Sequence, residues 1–165
     1  MKITMSLSKA SITAAVKQLE TYKRSLKSKT ERIVETLGKK GVEYARANLV
    51  ESKHIDTGET LESIAFAREG NKGTVSAGGA AVWIEFGTGV VANRGKHPHD
   101  QKSKAGMVGW GEYGDKHGFD PNGWWYYHPV RGLEHTFGIA ISPFMYLASQ
   151  SLRQELTDIA REAMK

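Results

Sequence analysis

The chain contains no cysteine. That excludes disulfide staples, cysteine-ligated metal sites and thiol nucleophiles, and it suits a protein made in a reducing cytoplasm. Long apolar runs are missing too. The opening MKITMSLSKASITAAV holds no stretch long enough for a signal peptide, and no segment approaches membrane-spanning length. A protein that is neither secreted nor membrane-spanning is therefore expected. No internal repeat or low-complexity tract is present. No serine sits in a nucleophile elbow, and Gly78-Gly79 and Gly87-Thr-Gly89 lack the lysine and spacing of a phosphate loop. Nothing supports nucleophilic or phosphoryl chemistry.

What remains is an ordinary soluble composition, 39% hydrophobic and 25% charged, over 165 residues, a length that suits one domain with a core. The net charge of +5 is unevenly placed. Residues 1–30 carry Lys2, Lys9, Lys17, Lys23, Arg24, Lys27 and Lys29 against Glu20 alone, and the rest of the chain is close to neutral. Such a segment can meet nucleic acid or an acidic protein surface, or it can be a solvated helix face.

Three zones follow one another. From Ser8 to Val50 the residues Ile12, Val16, Leu19, Lys23, Leu26, Thr30, Ile33 and Leu37 recur at spacings of four and three, with no proline among them. This predicts helix. It is one long helix, or two that break at Ser28, where Ser28-Lys-Thr-Glu31 has capping-box spacing. Ile33, Val34, Leu37, Val42, Ala45 and Leu49 are its best core-facing residues. From Asp56 to Gly87 the chemistry is that of strands. Leu61, Ile64 and Phe66 precede Gly70-Asn-Lys-Gly73, and Thr74–Ala77 follow, which predicts a β-hairpin. The run Ala80–Phe86 fits either a strand or a helical turn. The third zone, 88–138, holds ten of the glycines and three of the prolines, and it reads as an extended loop. Its aromatics, Trp110, Tyr113, Phe119, Trp124, Trp125, Tyr126 and Tyr127, argue against plain disorder. They order by burial on their own domain or on a neighbour. A terminal helix then opens at Ser142, a capping residue, and Pro143, with Met145, Ala148, Leu152, Leu156, Ile159 and Ala163 on one face.

Three short motifs occur in a set order: Ile55-Asp-Thr-Gly58 with Leu61 and Ser63-Ile64, after Ala45-Arg-Ala-Asn-Leu49; Val82-Trp-Ile-Glu-Phe-Gly-Thr-Gly89; and Gly138 with Pro143-Phe144-Met145 and Ala148. From about residue 30 to the C-terminus this pattern resembles the tailed-phage neck proteins, also described as minor tail, tail-completion or head–tail joining components. Where that family commonly has arginine before the Pro-Phe pair, this chain has Ser142. The stretch Val90–Glu134 is also longer than the family's usual loop.

The resemblance implies a structural virion protein and not an enzyme. Copies would form a ring around the DNA channel, with six the first expectation and twelve the alternative, joining the head connector or adaptor to a tail terminator or tail tube. DNA would pass through without specific recognition. The implied location is the virion neck or tail, reached from the host cytoplasm during assembly, with no membrane partner and no cofactor.

On this reading Asp56, Thr57 and Gly58 shape a tight turn from helix into sheet, with Asp56 and Thr57 accepting backbone N–H bonds and Gly58 at positive φ. Glu85, Phe86, Gly87, Thr88 and Gly89 form a turn and interface motif. Glu85 either lies on a wet face, or is buried and needs a basic group, one from an adjacent copy included, or a set of backbone N–H groups. Pro143 and Phe144 anchor the terminal helix. Trp110, Trp124, Trp125, Tyr126 and Tyr127 are the expected partner-contact residues.

Other chemistries are weaker. Asp56-Thr-Gly58 has the letters of an aspartic-protease site, but that dyad belongs in a nearly all-β chain. His97-Pro-His99-Asp100 with His117, His128 and His135 offers metal ligands on a glycine-rich loop without rigid support. The rival from another class is a nucleic-acid-binding module built from the basic helix and the aromatic loop. The expected architecture is thus a single α+β domain over 1–165. It has a basic N-terminal helical segment over 1–30, a small antiparallel sheet with a hairpin, a loop insertion over 88–138 and a C-terminal helix.

Overall fold

A computed structural model describes residues 6–92, 97, 98 and 122–165. Among the described residues the fold is α+β, with a long N-terminal helix, two antiparallel hairpins and a C-terminal helix. Helix α1 (Lys9–Glu51) starts where the Ser8 side chain accepts the Ser11 N–H, satisfying one of the free donors of the first turn. It runs unbroken through Ser28. The capping-box spacing there is not used, because the backbone is already helical on both sides of Ser28 and leaves no free N-terminus to cap; Thr30 Oγ1 donates back to the Leu26 carbonyl at 2.9 Å. A helix continues wherever nothing removes its N–H groups, and this stretch has no proline.

The chain leaves α1 through Lys53, at φ 60. Gly58, at φ 84, then turns it into the short helix α2 (Glu59–Ser63). Thr57 Oγ1 accepts the Glu59 N–H at 3.3 Å, and Glu59 and Glu62 favour this helix N-terminus. Leu61, expected in the approach to a strand, therefore lies in a helix. Strands β1 (Ala65–Glu69) and β2 (Lys72–Ser76) form the predicted hairpin, with Phe66 opposite Val75. Gly70, at φ 58, takes the first place of the two-residue link. The ambiguous run is helix α3 (Ala81–Phe86), followed by α4 (Gly89–Ala92).

The stretch 88–138 is not all loop. Its described residues include a second hairpin, β3 (Trp124–His128) with β4 (Gly132–Thr136). Reading the zone by its glycine and proline content hid a run rich in aromatic strand formers, followed by a three-residue link and by Gly132, at φ 82, which opens β4. Trp110, Tyr113, Phe119, His99, Asp100 and His117 lie outside the described residues.

The terminal helix α5 (Phe144–Met164) packs antiparallel on α1. Asn48 donates to the Phe144 carbonyl at one end, and Lys29 reaches the Met164 carbonyl at the other. Midway, Lys40 and Tyr44 of α1 both hold Glu155 of α5. The core gathers where the C-terminal half of α1 meets α3, the end of α2 and the start of α5. Ala45, Leu49, Ile64, Ala81, Ile84, Phe144 and Ala148 are buried there. Phe144, Leu49 and Ile64 are the largest fully enclosed side chains, each worth roughly 1.5–3 kcal/mol of burial. Among the described residues no helix is long and apolar enough to cross a membrane.

Candidate functional site

Two of the three motifs meet in space. Glu85 ends the buried side of α3 and is 7% exposed. Its two oxygens accept the N–H groups of Met145 at 2.8 Å and Tyr146 at 3.0 Å, in the first turn of α5. That helix starts behind Pro143, which provides no side-chain cap. Ser142, the expected cap, is buried, and its N–H goes to the Ile84 carbonyl at 2.9 Å. A carboxylate from another element therefore does the capping, where the helix dipole also favours negative charge. His97 Nε2 lies 3.0 Å from Glu85 Oε1, its ring 4.7 Å from Phe86 and 5.5 Å from Tyr146. Glu85 is thus buried and satisfied by backbone N–H groups of its own chain.

The glycines of the same motif lock against Gly138. Thr88 and Ile139 exchange backbone hydrogen bonds of 2.9 and 3.1 Å. Gly87, Gly89 and Gly138 all have positive φ. A Cβ on Gly138 would lie 2.0 Å from the Thr88 carbonyl oxygen, and one on Gly89 would lie 2.4 Å from that of Phe137. Only glycine fits this crossing.

Among the described residues, Asp56 does not accept the backbone bonds expected of it. Its oxygens take His128 Nε2 at 2.9 Å and Arg131 at 3.1 Å, pinning the second hairpin's turn to the end of α1. His128 Nδ1 accepts the N–H groups of Val130 and Arg131, so Nε2 carries the proton donated to Asp56. Arg131 continues to Glu134 at 2.6 Å, and Glu134 accepts the Tyr126 hydroxyl at 2.6 Å. His128, followed by Arg131, holds the Asp56 carboxyl below the usual carboxylate range. Arg131 and then Tyr126 do the same for Glu134. His128 and Arg131 were not singled out as partners of Asp56, since the contact joins residues 72 and 75 apart in sequence.

Strand alternation divides the four successive aromatics. Trp124 and Tyr126 share the side that carries buried His128. Trp125 and Tyr127 share the other, with Leu133 and Phe137, and these four are 64%, 74%, 66% and 48% exposed. His135 stacks edge-on between Trp125 at 5.0 Å and Phe137 at 4.9 Å. Among the described residues, no three histidine, aspartate or glutamate side chains gather as metal ligands.

The α1 seam is divided in a similar way. From Lys29 to Asn48 it is matched by α5. Residues 9–28 extend beyond Lys29 by about 30 Å of helix, and there Ile12, Val16, Leu19 and Tyr22 are 41–53% exposed. In comparisons with protein-family models, curated proteins and solved structures, nothing matches this chain.

Proposed function

We propose that this chain is a structural subunit of a tailed-phage particle, a neck or tail-completion component that joins head connector to tail as a ring around the DNA channel. The observation that carries the assembly reading is the pair of uncovered apolar surfaces, the N-terminal half of α1 and the outer face of the second hairpin. Contiguous exposed apolar surface marks interaction sites in soluble proteins. The motifs behind the phage resemblance lend it support from another side. Residues 85–89 and 138–146 build one joint, in which a buried carboxylate caps the terminal helix and glycines permit a close backbone crossing. No step of this function needs a reacting group, so Glu85 and Asp56 serve as structural members.

The rival reading, single-strand binding by lysines and stacked aromatics, needs both on one surface. The hairpin is pinned at Asp56, just past the end of α1, whereas the lysines lie at 9–29. Arg24 and Glu51 are separated by about 40 Å of helix. Titration with single-stranded DNA at two salt concentrations is expected to show weak, steeply salt-sensitive binding.

The decisive test is made on particles. Infections lacking this protein should accumulate heads and tails that do not join, and imaging of complete particles should place it in the neck with rotational symmetry. Joined, infectious particles formed without it, or a position away from the tail axis, would overturn the proposal.

A further inference from the structure

We infer that the two uncovered apolar surfaces are each other's partner in successive copies, with the free arm of α1, residues 9–28, lying across the outer face of the second hairpin of a neighbouring copy. The inference rests on the assembly reading and specifies its interface.

Charge selects the occupant. Residues 9–29 hold Lys9, Lys17, Lys23, Arg24, Lys27 and Lys29 against Glu20, a net of +5. Two such arms laid side by side would bring like charges together, which disfavours arm-to-arm pairing. The other end of the molecule has the opposite balance. Residues 43–62 hold Glu43, Glu51, Asp56, Glu59 and Glu62 against Arg46 and Lys53, a net of −3. The second hairpin is fastened to this acidic end by the contacts of Asp56 with His128 and Arg131. Each copy therefore has a basic apolar helix at one end and an apolar sheet face on an acidic end at the other.

The sizes agree. Ile12, Val16, Leu19 and Tyr22 fall on one broad stripe, and the ten residue steps from first to last span about 15 Å of helix. Five paired residues of β3 and β4 span about 17 Å. The sheet side of the contact is Trp125, Tyr127, Leu133 and Phe137. Large aromatics next to an aliphatic residue make the kind of anchor that dominates protein interfaces. Because the two surfaces differ and lie apart on the chain, the contact is head-to-tail. Such a contact closes into a ring when the rotation per copy allows.

The absence of cysteine makes a clean test. Leu19→Cys and Tyr127→Cys each alter a position exposed in the single chain, so both full-length variants should melt like the parent in dilute solution, where copies are separate. They are prepared separately, mixed in equal amounts and treated with a short bis-maleimide. The expected product is a dimer linked from position 19 of one copy to position 127 of the other, several-fold more abundant than either variant yields alone. Yield should fall several-fold as salt is raised. It should also fall when Glu59→Lys and Glu62→Lys are added to the Tyr127→Cys chain, and recover when Lys17→Glu and Lys23→Glu are added to the Leu19→Cys chain.

Equal cross-linking of the Leu19→Cys variant with itself would mean arm pairs with arm, and overturns the inference. So does absence of the mixed product at high protein concentration, or shielding of position 19 only when DNA is added. Any of these leaves the neck reading to be judged by the particle experiment. The mixed product obtained from a protein that particles do not need would instead keep the interface and sink the neck.

Discussion

Two carboxylates show how much a single side chain settles here. Glu85 is enclosed and faces the open N–H groups of α5. Replacing it with glutamine keeps the shape but removes the charge and leaves one acceptor oxygen where two were used. Glu85→Gln is expected to destabilise the fold by about 1–3 kcal/mol, the range for losing a charge-assisted hydrogen bond at a buried site. Urea unfolding would show it, and a parent-like midpoint would mean that the cap contributes nothing. Asp56 makes a prediction in pH. Its folded-state carboxyl titrates below the ordinary 3.8, so its stabilisation is complete above that value and is lost as acid carries the pH through the lower folded one. Glu134, held down by Arg131 and Tyr126, and Glu155, held down by Lys40 and Tyr44, act in the same direction. The melting temperature should therefore fall on acidification below about pH 4, and Asp56→Asn should flatten part of that fall. An unchanged acid limb in the variant would remove Asp56 from the account. In the sequence, Asp56 could be read as a turn former and Glu85 as a carboxylate in need of a partner. The partners themselves could not be read, because they come from segments 60 to 75 residues away with no local signal.

At the scale of elements, the glycines of α1 carry the argument. Glycine in a helix interior costs about 1 kcal/mol relative to alanine, yet Gly38 and Gly41 sit where the first hairpin and α5 press on the helix. A Cβ on Gly38 would lie 2.1 to 2.4 Å from the ring of Phe66, and one on Gly41 would lie 2.9 Å from Val75. Gly38→Ala should thus gain helix propensity and lose more through overlap, for a net destabilisation of about 1–2 kcal/mol. Combining it with Phe66→Leu should recover part of that loss, because the two positions share one contact. A Gly38→Ala protein more stable than the parent would show that the ring moves aside freely. The helix itself was legible from its period and its lack of proline, and so were the first hairpin and the start of the terminal helix to within two residues. The second hairpin was not, because glycine and proline content across 88–138 outweighed five residues of strand chemistry. Nor was α2, whose one turn depends on Gly58 and the Thr57 hydroxyl more than on any periodicity.

For the whole molecule the governing feature is that one helix serves two environments. Its C-terminal half is clamped by α5, the first hairpin and α3. From Lys9 to Leu37 only Ala15 is buried. The arm continues a helix already nucleated by its packed half, but propagation into water is close to neutral per residue, and most helix stability comes from packing. Amide exchange in the free chain should accordingly be graded along α1. Residues 9–26 should exchange through local fraying of small free energy, and residues 42–49 only through global unfolding. Once copies assemble, the arm should become protected together with the amides of β3 and β4, since a partner then supplies the packing that the chain itself does not. Uniform protection along α1 in dilute monomer would mean that the arm is already held by its own molecule. The apolar seam would then need no partner, and the physical basis for reading this protein as an assembly subunit would be lost.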